Sequence, residues 1–357
     1  MKQANLAPNH TSRPHRKMRA YRALRPLLFL LPPEFAHWAV KGLLRLSSKV
    51  RGFRRLLRAL YRYEHAALQI DLFGRKLRNP VGLAPGLDKS GEIVGALSDL
   101  GFGFLELGAV TPEGQRGNEG KRLFRLTDDF ALVNWMGFPN SGANYLKSRL
   151  DRAKDVAIPI GVNLGISKEN VPGEESNLMQ SLDKISKDYS DSINTLYESC
   201  DYFTINVSCP NTPNLRLLQQ KRYLQKILEN AVSERDRREF EHKKHVSLLV
   251  KVDPDLPDQL LEDLVEVCAN HKIEGIIATN TSTDPGLKRN LASICKAGDG
   301  WDAQEGGVSG RPLKPVALAM VRKIYGLSRG RFPIVGVGGI SSADDAYEFI
   351  KAGACAV

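Results

Sequence analysis

The sequence predicts an α/β chain folded as a (β/α)8 barrel, on three observations. After residue 63, apolar β-branched runs of strand length alternate with helix-length periodic segments, and eight such alternations argue for a closed parallel barrel rather than an open doubly wound sheet. Asparagine, lysine and glycine gather where those runs end, as they would if the C-terminal ends of the strands made one functional face. The chain's 357 residues, 42% of them hydrophobic, are ample for a single core of that size.

Before the barrel comes a basic, amphipathic start. No Asp or Glu occurs from Met1 to Pro33, whereas Lys2, Arg13, Arg16, Lys17, Arg19, Arg22 and Arg25 accumulate there and contribute to a formal net charge of +11. Residues 1–20 read as a flexible basic tail and 21–66 as a helical module, with Leu, Phe and Trp interleaved among Lys and Arg over Tyr21–Leu31, Pro33–Ser47 and Val50–Tyr63. Leu27–Leu31 falls far short of the ~20 apolar residues a bilayer span needs. The expected arrangement is short helices lying in a membrane interface, apolar faces inserted and arginines on lipid phosphates. Helices that merely pack on the barrel, or a cleavable targeting peptide, have the same composition. The five cysteines form no C-x-x-C pair and are odd in number, which argues against a disulfide framework and a zinc site. A reducing compartment follows, and no metal is expected.

The barrel is expected over residues 67–357. Its strands are Pro80–Ala84, Phe104–Val110, Ile158–Leu164, Tyr202–Val207, Ser247–Val252, Gly275–Thr279, Pro333–Val337 and Ala354–Val357. Helices are expected at Gly91–Leu100, Ala143–Ala153, Leu178–Ser199, Leu215–Phe240, Asp258–Lys272, Lys314–Tyr325 and Ala343–Ala352.

Taken in order, the strand ends carry the chemistry. Strand one runs into Ala84-Pro85-Gly86-Leu87-Asp88-Lys89, where Gly86 permits close backbone approach to a planar ligand and Lys89 sets a cation at the barrel mouth. Strand two ends in Gly108-Ala109-Val110-Thr111. The excursion Lys121–Phe138 reads as a hairpin over the barrel top, carrying Arg125 and then Asn134-Trp135-Met136-Gly137-Phe138. Strand three ends in Asn163. Strand four must stop near Cys209, because Pro210 and Pro213 have no N–H for the ladder. The loop then offers Asn206, Ser208, Cys209, Asn211 and Thr212, a composition that a plain turn would also show. Strand five ends in Lys251, whose interior ammonium is costly unless it serves a ligand. Strand six ends in Thr279-Asn280-Thr281. The glycine turns around Gly310 and Gly339, the second leading into the helix start Ser341-Ser342-Ala343, offer backbone N–H groups as a phosphate site after strand seven.

These motifs resemble those of dihydroorotate dehydrogenases, the flavin enzymes of pyrimidine synthesis, and especially the quinone-linked class 2 branch. The loop in DYFTINVSCPNTPNL (Asp201–Leu215) is similar to that branch's Asn-x-Ser-Ser-Pro-Asn-Thr. Leu31–Leu46 is similar to its N-terminal helical module. The likeness covers about Leu31 to Val357 and implies FMN as cofactor, dihydroorotate as substrate, orotate as product and membrane quinone as the final acceptor. It implies Cys209 as the catalytic base, at the position where class 2 has serine and class 1 cysteine; Ser208 is the alternative. Substrate contacts are implied for Lys89, Asn134, Trp135, Met136, Gly137 and Phe138, and for Asn206, Asn211, Asn280 and Thr281. The amides of Asn134, Asn206, Asn211 and Asn280 suit the donor–acceptor edge of a dihydropyrimidine. FMN contacts are implied for Pro85, Gly86, Leu87, Asp88 and Lys89, for Ala109, Asn163 and Asn206, and for Lys251, Thr279, Gly310 and Gly339. Lys251 is expected near the pyrimidine edge of the flavin, where a cation stabilises the reduced ring. Arg125 and His37 match the quinone site, Thr212 the proton's exit and Phe138 the lid. Pro85 for alanine, Ala109 for Thr or Ser, and Trp135 for Arg depart from the family pattern.

The resemblance further implies a monomer attached peripherally to the cytoplasmic face of a bacterial inner membrane, with the mitochondrial inner membrane as the alternative, and no nucleic-acid partner. Three other readings stay open here. Cys209 suits a class 1-like enzyme using fumarate or NAD. A flavin barrel reducing uridines in tRNA also uses an Asn-x-x-Cys-Pro loop and would suit the positive charge. A non-catalytic FMN-binding remnant is the third, because Ala352–Val357 reaches only partway into strand eight, where relatives continue with a Tyr-Ser or Tyr-Thr pair and a last helix. Open edges on strands one and seven and a weakened phosphate site are the corresponding expectations.

Overall fold

Residues 23, 25–48, 50–153, 155–291 and 306–357 are described by the computed structural model. The basic tail expected over residues 1–20 lies outside them. After the N-terminal helical segment the chain forms a hairpin of β1 (Ile70–Leu72) and β2 (Arg75–Leu77), strands too short to show a period in sequence. Phe73 and Gly74 at its tip both have positive φ, 52° and 67°, the conformation a two-residue hairpin turn requires. Leu72 and Leu77 pack with Phe104, Tyr202, Leu249, Ile277, Val335 and Ala356, several of which begin their strands. The hairpin therefore stoppers the N-terminal end of the sheet, opposite the face where function was expected.

β3 (Gly82–Leu83) and β4 (Phe104–Val110) begin the main sheet. An excursion carries β5 (Glu113–Gln115), β6 (Leu123–Leu126), β7 (Ala131–Asn134) and β8 (Asn140–Gly142). The sheet resumes with β9 (Ile160–Leu164), β10 (Tyr202–Asn206), β11 (Ser247–Val252) and β12 (Gly275–Ala278), and after β13 (Gly307–Gly310) it ends with β14 (Ile334–Gly336). Seven of these strands pair in parallel in the order β14-β12-β11-β10-β9-β4-β3. β4, β9, β10, β11 and β12 are buried along their whole length, which is why they read as continuous apolar runs rather than alternating ones.

Helices Leu178–Leu196, Lys221–His242, Asp258–Asn270, Lys314–Ser328 and Ala343–Lys351 cover the outside close to their expected bounds. The helix expected from Leu215 is interrupted: Leu215–Gln219 is a 3-10 turn, and Gln220 is extended (ψ 141°) before Lys221 begins the helix. The open edges expected on the first and seventh barrel strands are bridged. Val357 N–H donates to Pro80 O at 2.8 Å and Gly82 N–H to Val357 O at 2.7 Å, while Cys355 N–H donates to Ile334 O and Gly336 N–H to Ala356 O, both at 2.8 Å. Three residues thus satisfy backbone groups on both flanks of the curled sheet.

Above the mouth, the expected hairpin is β6 paired with β7, and β13 adds a third antiparallel strand. Helices Pro33–Ser47 and Arg51–Tyr61 lie against the barrel through ion pairs. Asp99, 2% exposed, accepts from Arg54 Nε at 2.6 Å and Arg58 Nε at 2.5 Å; Glu34 pairs with Arg122 at 2.7 Å and Lys41 with Glu92 at 2.8 Å. The other side of the first helix is apolar and open to solvent, with Phe35, Trp38, Leu43 and Leu46 each more than half exposed. No helix among the described residues is long and apolar enough to cross a membrane.

Candidate active site

β10 ends at Asn206, and the loop beyond it turns into the barrel mouth. Cys209 is buried there, and burial pushes its thiol up to about 11 against the opposing pull of the Asn211 N–H and of Arg216, Lys89 and Lys251. Burial thus outweighs those charges and sets the thiol well above the ordinary value near ~8.5. Ser208 is fully buried and committed: its hydroxyl donates to Asn206 Oδ1 at 3.0 Å and accepts from Asn280 Nδ2 at 3.0 Å.

Two lysines converge on the thiol. Burial lowers Lys89 to about 8, and it lowers Lys251, 5% exposed, against the raising effect of Glu106 and Cys209. Among the described residues neither ammonium makes a hydrogen bond or a short ion pair. Unpaired interior cations are costly, so their natural complement is an anionic or electron-rich ligand.

The asparagines form two connected groups. In the first, Asn206 Nδ2 donates to Asn163 Oδ1 at 2.8 Å and Asn163 Nδ2 donates to Glu106 Oε1 at 2.8 Å, while Asn280 joins at Ser208. In the second, Asn211 Nδ2 donates to Asn134 Oδ1 at 2.6 Å, and Asn134 Nδ2 to Gly307 O at 3.2 Å. Asn211 Oδ1 is buried without a hydrogen-bond partner among the described residues, an acceptor with capacity to spare. The Asn134–Phe138 segment is held by its backbone: Trp135 N–H donates to Arg122 O, Met136 O accepts from Asn118 N–H, and Gln115 Nε2 donates to the carbonyls of Gly137 and Phe138. The Phe138 ring is buried and lies over Gly165. Ala109 and Thr212 are buried, and Thr281 is fixed through its N–H to Asn280 Oδ1 at 2.9 Å.

A cavity of about 380 Å³ opens between β3 and β14, walled by Gly82–Pro85, Gly336–Ile340, Ser309 and Glu106. Gly86 at its rim has φ 119°, and a Cβ there would meet nothing within 4 Å. The glycine turns abut: a Cβ on Gly339 would lie 2.7 Å from Gly310 O and 2.8 Å from Lys314 N, at the start of helix Lys314–Ser328. Thr279, beside the cavity wall, donates its N–H to Val337 O at 2.8 Å. Leu87 is half-buried. The Asp88 carboxylate accepts from the N–H groups of Glu92 and Ile93 at 2.9 and 2.8 Å and faces Lys41, so the side chain caps a turn.

Arg125 lies toward the N-terminal helices, and His37, on helix Pro33–Ser47, is within electrostatic reach of Lys89 and Asp88. Arg125 Nη1 donates to Leu31 O at 2.8 Å and its guanidinium stacks on Phe29; burial and the Lys41 and Lys89 charges hold His37 below the ordinary imidazole value. Sequence reasoning missed Glu106, Asn118 and Arg216. Glu106 had a signal, an acid inside the apolar run FLELGAV. Arg216 ties the loop down by donating to Asp255 at 3.3 Å, Thr283 Oγ1 at 2.6 Å and Thr281 O at 3.1 Å, with Nε 2.6 Å from Asp253. Asn118 bridges Lys168 and Asn211 O at 3.0 and 3.1 Å.

A family profile described as dihydroorotate dehydrogenase matches residues 67–357. Among curated proteins, the chain is 40% identical over 335 residues to the dihydroorotate dehydrogenase (quinone) of Christiangramia forsetii, covering 94% of this chain and 91% of that one. It is 42% identical to the protein of the same name from Gloeobacter violaceus, with coverage of 94% and 87%. Among solved structures, a crystal structure of DHODH in complex with ferulenol from Eimeria tenella aligns with a TM-score of 0.75 at 31% identity, covering 91% of this chain and 84% of that one.

Proposed function

The chain belongs to the dihydroorotate dehydrogenase family, and on that premise we propose how its own residues carry the reaction. The activity is the quinone-linked one: dihydroorotate is oxidised to orotate in pyrimidine biosynthesis, with quinone as electron acceptor.

FMN is the cofactor, and the residues fit it. The glycine-walled cavity suits a flat ring, Lys89 beyond β3 and Lys251 near the end of β11 have no hydrogen-bond partner among the described residues, and the abutting turns at Gly310 and Gly339 bring the backbone together beside the start of helix Lys314–Ser328, where a phosphate would sit. When bound, FMN supplies the acceptor for the hydride from C6 of dihydroorotate and the route for its two electrons to quinone. The chain orients the substrate and takes the C5 proton. Asn211 Oδ1 accepts a ring N–H, Asn134 holds Asn211 in place, and Lys89 receives the substrate's negative charge.

Cys209 is the base. What supports this is the place of the buried thiol, in the loop beyond β10 between Ser208 and Asn211, with Arg216, Lys89 and Lys251 each drawing it toward the thiolate against the larger effect of burial. Ser208 is the weaker candidate because both its roles are taken, as donor to Asn206 and acceptor from Asn280. With the thiol at about 11, only about 10⁻⁴ of it is thiolate at pH 7, so proton removal is strongly pH-dependent.

The N-terminal helices carry the enzyme to its lipid-dissolved acceptor. Phe35, Trp38, Leu43 and Leu46 insert into the surface of a bacterial inner membrane from its cytoplasmic side, and His37 and Arg125 line the quinone's approach. Cys209 alone would suit a soluble enzyme using fumarate or NAD, and acceptor choice separates the two. The purified protein should form orotate with a quinone analogue and form little with fumarate or NAD; the reverse order overturns the quinone reading.

A further inference from the structure

Glu106 is the only ionisable side chain among the described residues that wall the cavity, and it is buried in the middle of β4. Its carboxyl receives Asn163 Nδ2 at 2.8 Å and Tyr202 OH at 3.3 Å. From there the amides run in one direction. Asn163 Oδ1 accepts from Asn206 Nδ2, and Asn206 Oδ1 accepts from the backbone N–H of Ser208 at 3.2 Å and from its hydroxyl. A backbone N–H can only donate, so the Ser208 end fixes which way Asn206 faces. A carboxyl oxygen accepts from an amide N–H whether or not the other oxygen is protonated, so the Glu106 end fixes Asn163 in either state.

We propose that Glu106 is a positioning residue for substrate binding, acting through Asn163 to hold the Asn206 amide in the orientation that the ligand reads. No other side chain is seen to accept from Asn163 Nδ2 among the described residues. Without that acceptor the amide is left unsatisfied and free to rotate, and Asn206 loses its fixed partner. The proposal rests on the reading above that Asn206 belongs to the substrate site.

Orotate binding, followed by its perturbation of the flavin spectrum, tests this in the full-length holoprotein, with FMN content and melting temperature recorded for each variant. Glu106→Gln keeps an acceptor oxygen facing Asn163 and should bind orotate within about twofold of wild type. Glu106→Leu removes it and should weaken orotate binding, measured per bound FMN, by about tenfold or more. Tyr202→Phe removes the other donor to the same carboxyl and leaves the amide chain whole, so its affinity should be close to wild type. Equal losses in Tyr202→Phe and Glu106→Leu, or wild-type affinity in Glu106→Leu, overturn the inference. Wild-type protein that fails to bind orotate instead overturns the functional reading beneath it.

Discussion

Asn211 donates its side-chain amide to Asn134 Oδ1 at 2.6 Å, and this bond ties the loop after β10 to the end of β7 in the sheet above the mouth. The geometry leaves Asn211 Oδ1 buried and without a hydrogen-bond partner among the described residues. If that oxygen accepts a ring N–H of dihydroorotate, Asn211→Ala should raise KM by about tenfold or more, the usual consequence of leaving a buried polar pair incomplete. Asn134→Ala should produce a smaller rise, since it only loosens Asn211. Steady-state kinetics at fixed quinone, with FMN content measured in parallel, checks the order.

Lys89 gives the site a pH dependence of known sign. Burial depresses its pKa to about 8, so the ammonium is present below that pH and is lost above it. Orotate affinity in the free enzyme should therefore be about tenfold weaker at pH 9 than at pH 7. Lys89→Arg, charged throughout this range, should flatten the profile; a profile as steep as wild type's would assign the dependence to another group.

The outward face of helix Pro33–Ser47 predicts a division between the two halves of the reaction. Each large apolar side chain moved from water into lipid gains about 1.5–3 kcal/mol, so replacing Phe35 and Trp38 by serine should cut partitioning onto vesicles by about 10²-fold or more. Reduction of vesicle-borne quinone should fall with it, while flavin reduction by dihydroorotate stays within about twofold. Point substitutions are preferable to removing the whole segment, because Glu34 and Lys41 also hold Arg122 and Glu92 at the barrel mouth.

Asp99 anchors the second helix through Arg54 and Arg58. Asp99→Ala would leave Arg58 without its carboxylate and Arg54 with Asp155 alone. We expect a loss of about 2 kcal/mol, below the range for a fully enclosed pair because Arg58 is partly in solvent. Thermal unfolding compared with Asp71→Ala, an exposed acid with no ion pair among the described residues, measures the difference.

Much of this was legible in the sequence because the barrel strands are buried on both faces. Phe104–Val110 and Ser247–Val252 appear at their expected bounds, and the strand ends carry the expected residues to one face. The plugging hairpin was not legible, since three-residue strands have no measurable period. Bridging of the sheet edges by Cys355–Val357 depends on backbone hydrogen bonds, which side-chain patterns do not encode. The capping role of the Asp88 carboxylate was not legible, because a carboxylate that caps a turn and one that meets a ligand look alike in sequence. The thiol's high pKa needs knowledge of burial, which no residue name supplies.

The central claim is that this chain oxidises dihydroorotate with Cys209 taking the C5 proton. Anaerobic mixing of the full-length protein with saturating dihydroorotate, followed by flavin absorbance across pH, tests it most directly. The account predicts bleaching with one orotate formed per flavin, at a rate that rises with pH along a limb extending well above pH ~8.5, because burial holds the thiol near about 11. Cys209→Ala should slow bleaching by ~10²–10⁴-fold with orotate affinity nearly unchanged. Bleaching of the alanine variant at the wild-type rate, or no bleaching of the wild-type protein, would contradict it.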